Sequence, residues 1–228
     1  VDLFEIPFHS TNPEIHDYLT RVNGSHQKAL NSIKKLIELN ANVVAVIVLT
    51  KVNCKDVGKT LKYLKELNIK HIMLNRFNIG GEGIKEQTTI LPSFIELNEG
   101  YKKANEIIPE LNLSVSSNVC TPVCVINPQN YKNILFSHCA SDIKEMPITL
   151  DIEGNIRFCN HSPVNLGNIY KNSLDEIFSN DYVKQWETTI PVECENCNLY
   201  SVCKGGCKAA SEQSGLGLNH ADPLINLK

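Results

Sequence analysis

The sequence predicts an α/β fold with a parallel sheet, followed by a small cysteine-rich region. Two observations lead to this prediction. The first half alternates strand patterns with helical patterns over short connections, which favours a parallel sheet with crossover helices. From about Pro122 helical periodicity fades, while proline, asparagine and cysteine become frequent. We therefore expect two domains, at residues 1–112 and 113–228.

Hydrophobic patterning defines the elements of the first half in chain order. Apolar runs predict four strands, at residues 1–8, 43–49, 71–77 and 113–117. Apolar residues at helical spacing predict three helices, at residues 25–39, 56–67 and 93–108. Ser25 is expected to cap the first helix. Three and a half strand–helix units are too few for an eight-stranded barrel, so an open sheet and half of a larger barrel both remain open. Because a strand opens the sequence, we expect a longer protein to precede Val1.

Composition excludes several classes of function. With 42% hydrophobic and 21% charged residues and a net charge of −3, nothing indicates a nucleic-acid partner. The longest apolar run, Val43–Leu49, is too short to cross a bilayer, so no membrane partner is expected. The nine cysteines are odd in number, some are tightly paired and no export signal precedes them. These features favour reduced thiols in the cytoplasm over disulfides.

The densest motif lies at residues 194–207, where four cysteines follow the spacing C-x2-C-x5-C-x3-C. Thiolates at such spacing favour zinc or an iron–sulfur cluster. Gly205 and Gly206, inside the motif, let the backbone approach an inorganic core and offer N–H donors to it. The motif alone leaves zinc and iron–sulfur equally open.

A wider pattern surrounds this motif. Cys139 is followed by fourteen residues that end in Gly154, and four more residues lead to Cys159. These six cysteines and one glycine resemble the SPASM domain, a C-terminal extension of radical SAM enzymes that carries auxiliary iron–sulfur clusters. Residues 148–159 resemble the small hairpin of that family, and residues 166–178 the segment after it. The resemblance favours iron–sulfur over zinc.

The first half resembles the fourth strand onwards of a radical SAM barrel. Residues 6–26, 48–53 and 74–83 look like its fourth to sixth strands with their loops. The resemblance therefore implies the C-terminal half of a radical SAM partial (β/α) barrel, followed by a small cysteine-rich SPASM domain. Arg21 and Arg76 stand where the family can place arginines that contact the cofactor, and an arginine fork suits its methionyl carboxylate. A solvated or salt-bridged arginine is the alternative for each.

The same resemblance implies ligands for two auxiliary [4Fe-4S] clusters. It assigns Cys139, Cys159 and Cys207 to cluster I, and Cys194, Cys197 and Cys203 to cluster II. For the fourth ligand of cluster I we favour Cys124 over Cys120. Ile225 stands where the family has its last cysteine. Cluster II could therefore keep an open iron, take Asp222 or His220, or be absent, which leaves one or two clusters.

One defining motif is missing. The C-x3-C-x2-C motif that holds the cluster cleaving S-adenosylmethionine does not occur, because Cys120 and Cys124 are followed by Asn127 at the third position. We therefore expect this polypeptide alone not to cleave S-adenosylmethionine. The full-length enzyme would hold that cofactor and a further [4Fe-4S] cluster.

The resemblance implies radical chemistry on a peptide or protein substrate, as in maturases of this family. A reductant such as flavodoxin or ferredoxin would supply electrons. The alternative function is a non-catalytic zinc or iron–sulfur module that serves structure or electron transfer.

Overall fold

A computed structural model describes residues 2–140 and 142–227. The chain divides into two compact units. The first unit consists of the residues up to Phe77 together with Glu86–Val119 and Ile126–Ser137. The second consists of Asn78–Lys85, Cys120–Val125 and the residues from His138 onwards. One segment of the first half, Asn78–Lys85, thus belongs to the cysteine-rich unit.

The first unit is built on a five-stranded sheet. In chain order its strands β1 to β5 are Phe4–Pro7, Val43–Leu49, His71–Arg76, Ser114–Ser117 and Ile134–Phe136. Each strand pairs with the next in parallel, so the spatial order follows the chain order. The prediction of an α/β fold with a parallel sheet is confirmed. β4 and β5 lie beyond residue 112, where the domain division was predicted.

Five helices accompany these strands. Helices α1 to α5 are Pro13–Thr20, Ser25–Glu38, Val57–Glu66, Gly83–Ile90 and Phe94–Leu111. The prediction that Ser25 caps α2 is wrong, because Gly24 is the N-cap residue and makes no side-chain cap. The Ser25 hydroxyl instead donates to Asp17 Oδ1 at 2.9 Å. Three elements were not predicted: α1, α4 and β5.

The core of the first unit follows from its strand patterns. Ala45, Ile47 and Leu49 alternate along one face of β2 and are almost fully buried. Leu61 and Leu64 of α3 are equally buried. β-branched and aliphatic side chains at alternate positions suit a strand covered by helices.

The second unit has little regular structure. A small antiparallel sheet joins β6 (Thr149–Leu150), β7 (Asn155–Arg157) and β8 (Gly167–Asn168). Four short helices follow: α6 (Leu174–Phe178), α7 (Asp181–Thr188), α8 (Tyr200–Cys203) and α9 (Lys208–Gln213). A core of buried side chains gathers around Phe158, Ile177 and Trp186.

No helix within the described ranges is long and apolar enough to span a membrane.

Candidate metal centre

The backbone between Cys194 and Cys207 turns repeatedly. The Cys197 amide donates to the Cys194 carbonyl at 3.0 Å, which closes the first C-x2-C turn. α8 then ends in three consecutive residues with positive φ, Lys204, Gly205 and Gly206. This left-handed stretch reverses the chain directly after Cys203 and leads it to Cys207, at the start of α9.

Gly206 is required by this turn on two grounds. Its φ is +85°, a backbone conformation that residues other than glycine rarely adopt. A Cβ atom there would also lie 2.7 Å from Pro122 Cγ and 2.7 Å from Asp222 Cβ. Gly205 is similarly tight, since a Cβ would lie 3.0 Å from Pro191 Cγ. The double glycine therefore brings residues 120–125 directly against the cysteine motif.

Four cysteines form a first group beside the Trp186 core. Cys207 belongs to that core, and Cys120, Cys139 and Cys159 pack against it. A hydrogen bond from Cys120 and the nearby Lys208, through its backbone N–H and its charge, outweigh burial and lower the pKa of Cys139 to about 7. Burial raises the pKa of Cys159, and the charge of Cys139 adds to this rise. The pKa of Cys139 and that of Cys159 therefore each depend on another thiol of this group.

Polar groups surround Cys207. The Asn78 amide group donates to Cys207 Sγ at 3.6 Å and also lies 3.2 Å from His161 Nδ1. The Cys207 backbone N–H donates to Asp222 Oδ2 at 2.9 Å. Hydrogen bonds to a ligating sulfur are one means by which a protein tunes an iron–sulfur cluster.

A second group lies nearer the surface. Cys203 is buried, Cys194 is half-buried, and Cys124 and Cys197 are exposed. Burial raises the pKa of Cys194 to about 11, and the charges of Cys203, Cys197 and Cys124 contribute to the rise. The Val123 backbone N–H donates to Cys203 Sγ at 3.3 Å. Within the described ranges, no three His, Cys, Asp or Glu side chains converge closely enough for a single metal ion.

The sequence analysis divides these cysteines into two ligand sets by resemblance, and that division stays a prediction. In the structure Cys139 and Cys159 pack against the core that contains Cys207, and the charges of Cys203 and Cys197 act on Cys194. The sequence analysis favoured Cys124 for the first group, whereas the thiol bonded to Cys139 is that of Cys120. That these cysteines bind metal stays a prediction. Cys54 lies outside both groups, buried in the first unit.

The two predicted cofactor arginines differ in environment. Arg21 ends α1 in the left-handed conformation, and its exposed guanidinium lies 2.7 Å from Glu86 Oε2. Arg76 ends β3, is fully buried, and donates from Nη1 to the Phe77 carbonyl at 3.2 Å. Arg21 thus has the surface ion pair named as its alternative. A cofactor contact by either residue stays a prediction.

Sequence reasoning missed two contributors to the candidate metal centre, Asn78 and the Val123 amide. Asn78 and Val123 lie 129 and 80 residues from the sulfurs they contact, so local spacing carried no signal for them. Cys120 was considered for the first group and ranked below Cys124, and the structure adds its hydrogen bond with Cys139.

Comparison with known proteins agrees with this geometry. Residues 139–208 match the SPASM family model, described as an iron-sulfur cluster-binding domain. The sequence matches no curated protein.

Three solved structures are similar over nearly the whole chain. Native anSMEcpe with bound AdoMet has a TM-score of 0.66 at 18% identity, covering 99% of this chain and 64% of its own. Native anSMEcpe with AdoMet and Cp18Cys peptide has a TM-score of 0.66 at 17% identity, covering 99% and 65%. Streptococcus suis SuiB has a TM-score of 0.70 at 16% identity, covering 97% and 54%.

The fold defines the class of protein: a chain with an α/β unit built on a parallel sheet and a cysteine-rich unit. More particularly, residues 139–208 match the SPASM family model, and the fold of the chain is similar to that of radical SAM/SPASM structures. It spans less than two thirds of the length of each matched structure.

Proposed function

We propose that this chain is the C-terminal part of a radical SAM/SPASM enzyme that modifies a peptide or protein, and that it binds auxiliary [4Fe-4S] clusters. One observation carries the proposal. Eight of the nine cysteines, all but Cys54, belong to the two groups described above, and the left-handed turn at residues 204–206 joins Cys203 of one group to Cys207 of the other. A chain that needed its cysteines only as small apolar side chains would have no reason to concentrate them in this way.

The residues of both groups suit such clusters. Iron–sulfur clusters are held by cysteine thiolates, and backbone or side-chain N–H groups near the sulfurs tune them. The chain offers thiols in two sets, and the Val123 and Asn78 donors already point at cysteine sulfurs. The glycines at 205 and 206 leave the cradle free of Cβ atoms.

Clusters in these groups would supply one-electron transfer. The chain's own residues prepare the site for it. Lys208, buried beside Cys139, contributes a positive charge that favours the thiolate form. The buried aromatic side chains of Phe158 and Trp186 lie 5.2 Å apart between ring centres, in the core against which the first group packs.

The substrate class and partners belong to this proposal. A similar fold occurs in anSMEcpe with bound AdoMet and a Cp18Cys peptide, which supports a peptide or protein as substrate. S-adenosylmethionine and its cluster would be held by a part of the enzyme that carries C-x3-C-x2-C. Flavodoxin or ferredoxin would act as reductant, in the cytoplasm.

The decisive experiment measures iron, sulfide and zinc per chain after anaerobic purification and reconstitution. We expect about eight iron and eight sulfide, with a brown cluster spectrum. About four of each would mean a single cluster. Stoichiometric zinc without colour, even after reconstitution, would overturn the proposal in favour of a structural module.

A second experiment concerns the activity of the isolated chain. Incubated with S-adenosylmethionine and dithionite, the loaded chain is expected to release no 5′-deoxyadenosine, because it lacks the motif for the cleaving cluster. Release at a rate above that of a protein-free control would contradict this expectation.

A further inference from the structure

We propose that Cys124 is the fourth thiolate ligand of the second group, in place of the cysteine that Ile225 replaces, and that Cys120 completes the first group. This inference rests on the proposed function, since it concerns which residues hold the auxiliary clusters. It also reverses the choice made from the sequence, which gave Cys124 to the first group.

The turn that carries Cys124 is held against the cysteine motif. Within residues 120–125, the Val125 amide donates to the Pro122 carbonyl at 2.9 Å and closes a turn with Val123 and Cys124 at its centre. The Val123 amide donates to Cys203 Sγ at 3.3 Å. The Pro122 ring fills the space where Gly206 has no Cβ. Cys124 is therefore the direct neighbour of a residue bonded to a second-group sulfur.

Cys124 lies in the turn that packs against the cysteine motif through Pro122 and Gly206. It directly follows Val123, whose amide bonds the Cys203 sulfur of the second group. Cys124 shares with Cys197 an exposed position, whereas the cysteines of the first group are buried or half-buried. Cys120, four residues earlier, packs against the Trp186 core and hydrogen-bonds Cys139. The short segment thus offers one thiol to each group.

The other candidate ligands are engaged elsewhere. Asp222 is buried, and its two carboxylate oxygens accept hydrogen bonds from the backbone amides of Cys207 and Leu224, each at 2.9 Å. His220 Nδ1 lies 2.8 Å from Glu193 Oε1. These contacts hold Asp222 on backbone amides and His220 Nδ1 on Glu193, whereas Cys124 follows directly after a residue whose amide bonds a second-group sulfur.

A fourth thiolate has a functional consequence. In a cubane cluster each iron bonds three sulfides and one external ligand, so four thiolates leave no iron open to a substrate. With Cys124 in place, the second group is suited to electron transfer and not to substrate binding. Ligation of iron by Cys124 releases the thiol proton to solvent and requires no electron transfer.

Three alanine variants of the reconstituted chain test the assignment. Cys124→Ala is compared with Cys197→Ala, a predicted ligand of the same group, and with Cys54→Ala, a buried cysteine outside both groups. We expect Cys124→Ala and Cys197→Ala to lose iron alike, and to form [3Fe-4S] clusters visible by electron paramagnetic resonance after mild ferricyanide oxidation. Cys54→Ala should match the unmodified chain. If Cys124→Ala also matches it in iron, sulfide and resonance signal, the inference is overturned.

A double variant decides which group Cys124 serves. If Cys124 and Cys197 hold the same cluster, Cys124→Ala/Cys197→Ala leaves the first cluster intact, with about four irons per chain and no further loss. If Cys124 serves the first group, the double variant damages both clusters and falls well below that value. The second outcome would restore the assignment made from the sequence.

Alkylation of the unmodified chain avoids any problem of variant folding. Cys124 and Cys197 are exposed, so iodoacetamide should modify both rapidly in chelator-stripped protein. In the loaded protein both should be protected at least about tenfold, as measured by mass spectrometry. Equal labelling of Cys124 in the two states, with Cys197 protected, would overturn the inference while leaving the proposed function intact. A chain that binds no iron at all would overturn both.

Discussion

The two units of the chain bury their apolar side chains in different ways. In the first unit, β2 and β3 place aliphatic side chains such as Ile47, Leu49 and Leu74 against helices that contribute Leu61 and Leu64. Each of these residues is almost completely buried. Burial of this kind is the main favourable contribution to folding, at about 25 cal/mol for each Å² of apolar surface.

The second unit achieves less by the same means. Its strands are two or three residues long, and large apolar side chains such as Ile152, Tyr170 and Val202 stay exposed. Its buried residues gather around a single aromatic cluster. Small domains with few buried apolar residues usually depend on disulfides or metals. From this comparison we expect burial to stabilise the first unit and, under the proposed function, cluster ligation to stabilise the second.

The largest expected difference between the two units is the loss of amide protection when iron is removed. Because structural metals contribute about 10 kcal/mol to small domains, we expect chelation to lower amide protection within residues 142–208 at least about a hundredfold. Strands β2 and β3 should keep theirs. Hydrogen exchange with mass spectrometry measures both in one sample. Equal loss of protection in the two units would break the comparison.

The converse test removes a core side chain from the first unit. Leu61 is 0% exposed, so Leu61→Ala should lower the free energy of unfolding of this unit by about 2–5 kcal/mol. Leu39→Ala deletes the same atoms at a site that is 64% exposed and should cost less than about 0.5 kcal/mol. Denaturant titration measures unfolding, and iron content should be unchanged in both variants. Loss of iron from Leu61→Ala would show that the second unit depends on the first.

Acid should weaken the first unit through its histidines. Burial, aided by the charge of His16, lowers the pKa of His9 to about 4, and burial also lowers the pKa of His16 and of His26. The unfolded chain therefore binds more protons than the folded one between about pH 6.5 and 4. The contribution of these histidines to the free energy of unfolding should be fully present above this range and should fall as pH decreases through it. His9 should account for up to about 3 kcal/mol of that fall.

The variant His9→Gln isolates this contribution. Glutamine does not titrate, so the loss of protection in β2 between pH 6.5 and 4 should become shallower, with His16 and His26 providing the remainder. Hydrogen exchange of β2 in both proteins measures the slope. Identical slopes would mean that His9 is not the titrating group.

The smallest expected effect comes from replacing one of two glycines with positive φ, Gly215 and Gly206. Gly215→Ala introduces a side chain at φ +79° with no atom within 4 Å of the new Cβ, and should cost about 1 kcal/mol. Gly206→Ala adds close contacts with Pro122 and Asp222, and should cost about 1 kcal/mol more and lower the iron content. Thermal unfolding followed by fluorescence of Trp186, the single tryptophan, reports on the second unit. Equal effects of the two substitutions would show that the contacts at Gly206 are unimportant.

The hydrophobic pattern of the sequence was sufficient to predict the helices and strands that bury apolar side chains at regular spacing. The runs in β2 and β3 and the helical spacing of α2, α3 and α5 are strong, and these elements lie close to their predicted bounds. α4 was missed because none of its residues is buried, so it has no apolar face. β5 was missed because it has only three residues. α1 did have a start signal, the Asn12–Pro13 pair, which accounts for its cap.

The sequence by itself therefore determined the α/β class, the parallel sheet and the resemblance of residues 139–208 to the SPASM family, because hydrophobic period and cysteine spacing are local properties of the chain. Only the tertiary structure decided that Cys120 packs beside Cys139 against the Trp186 core, and that Asn78 and Val123 donate to cysteine sulfurs. Such neighbours are separated by up to 129 residues, and they meet only in the folded chain.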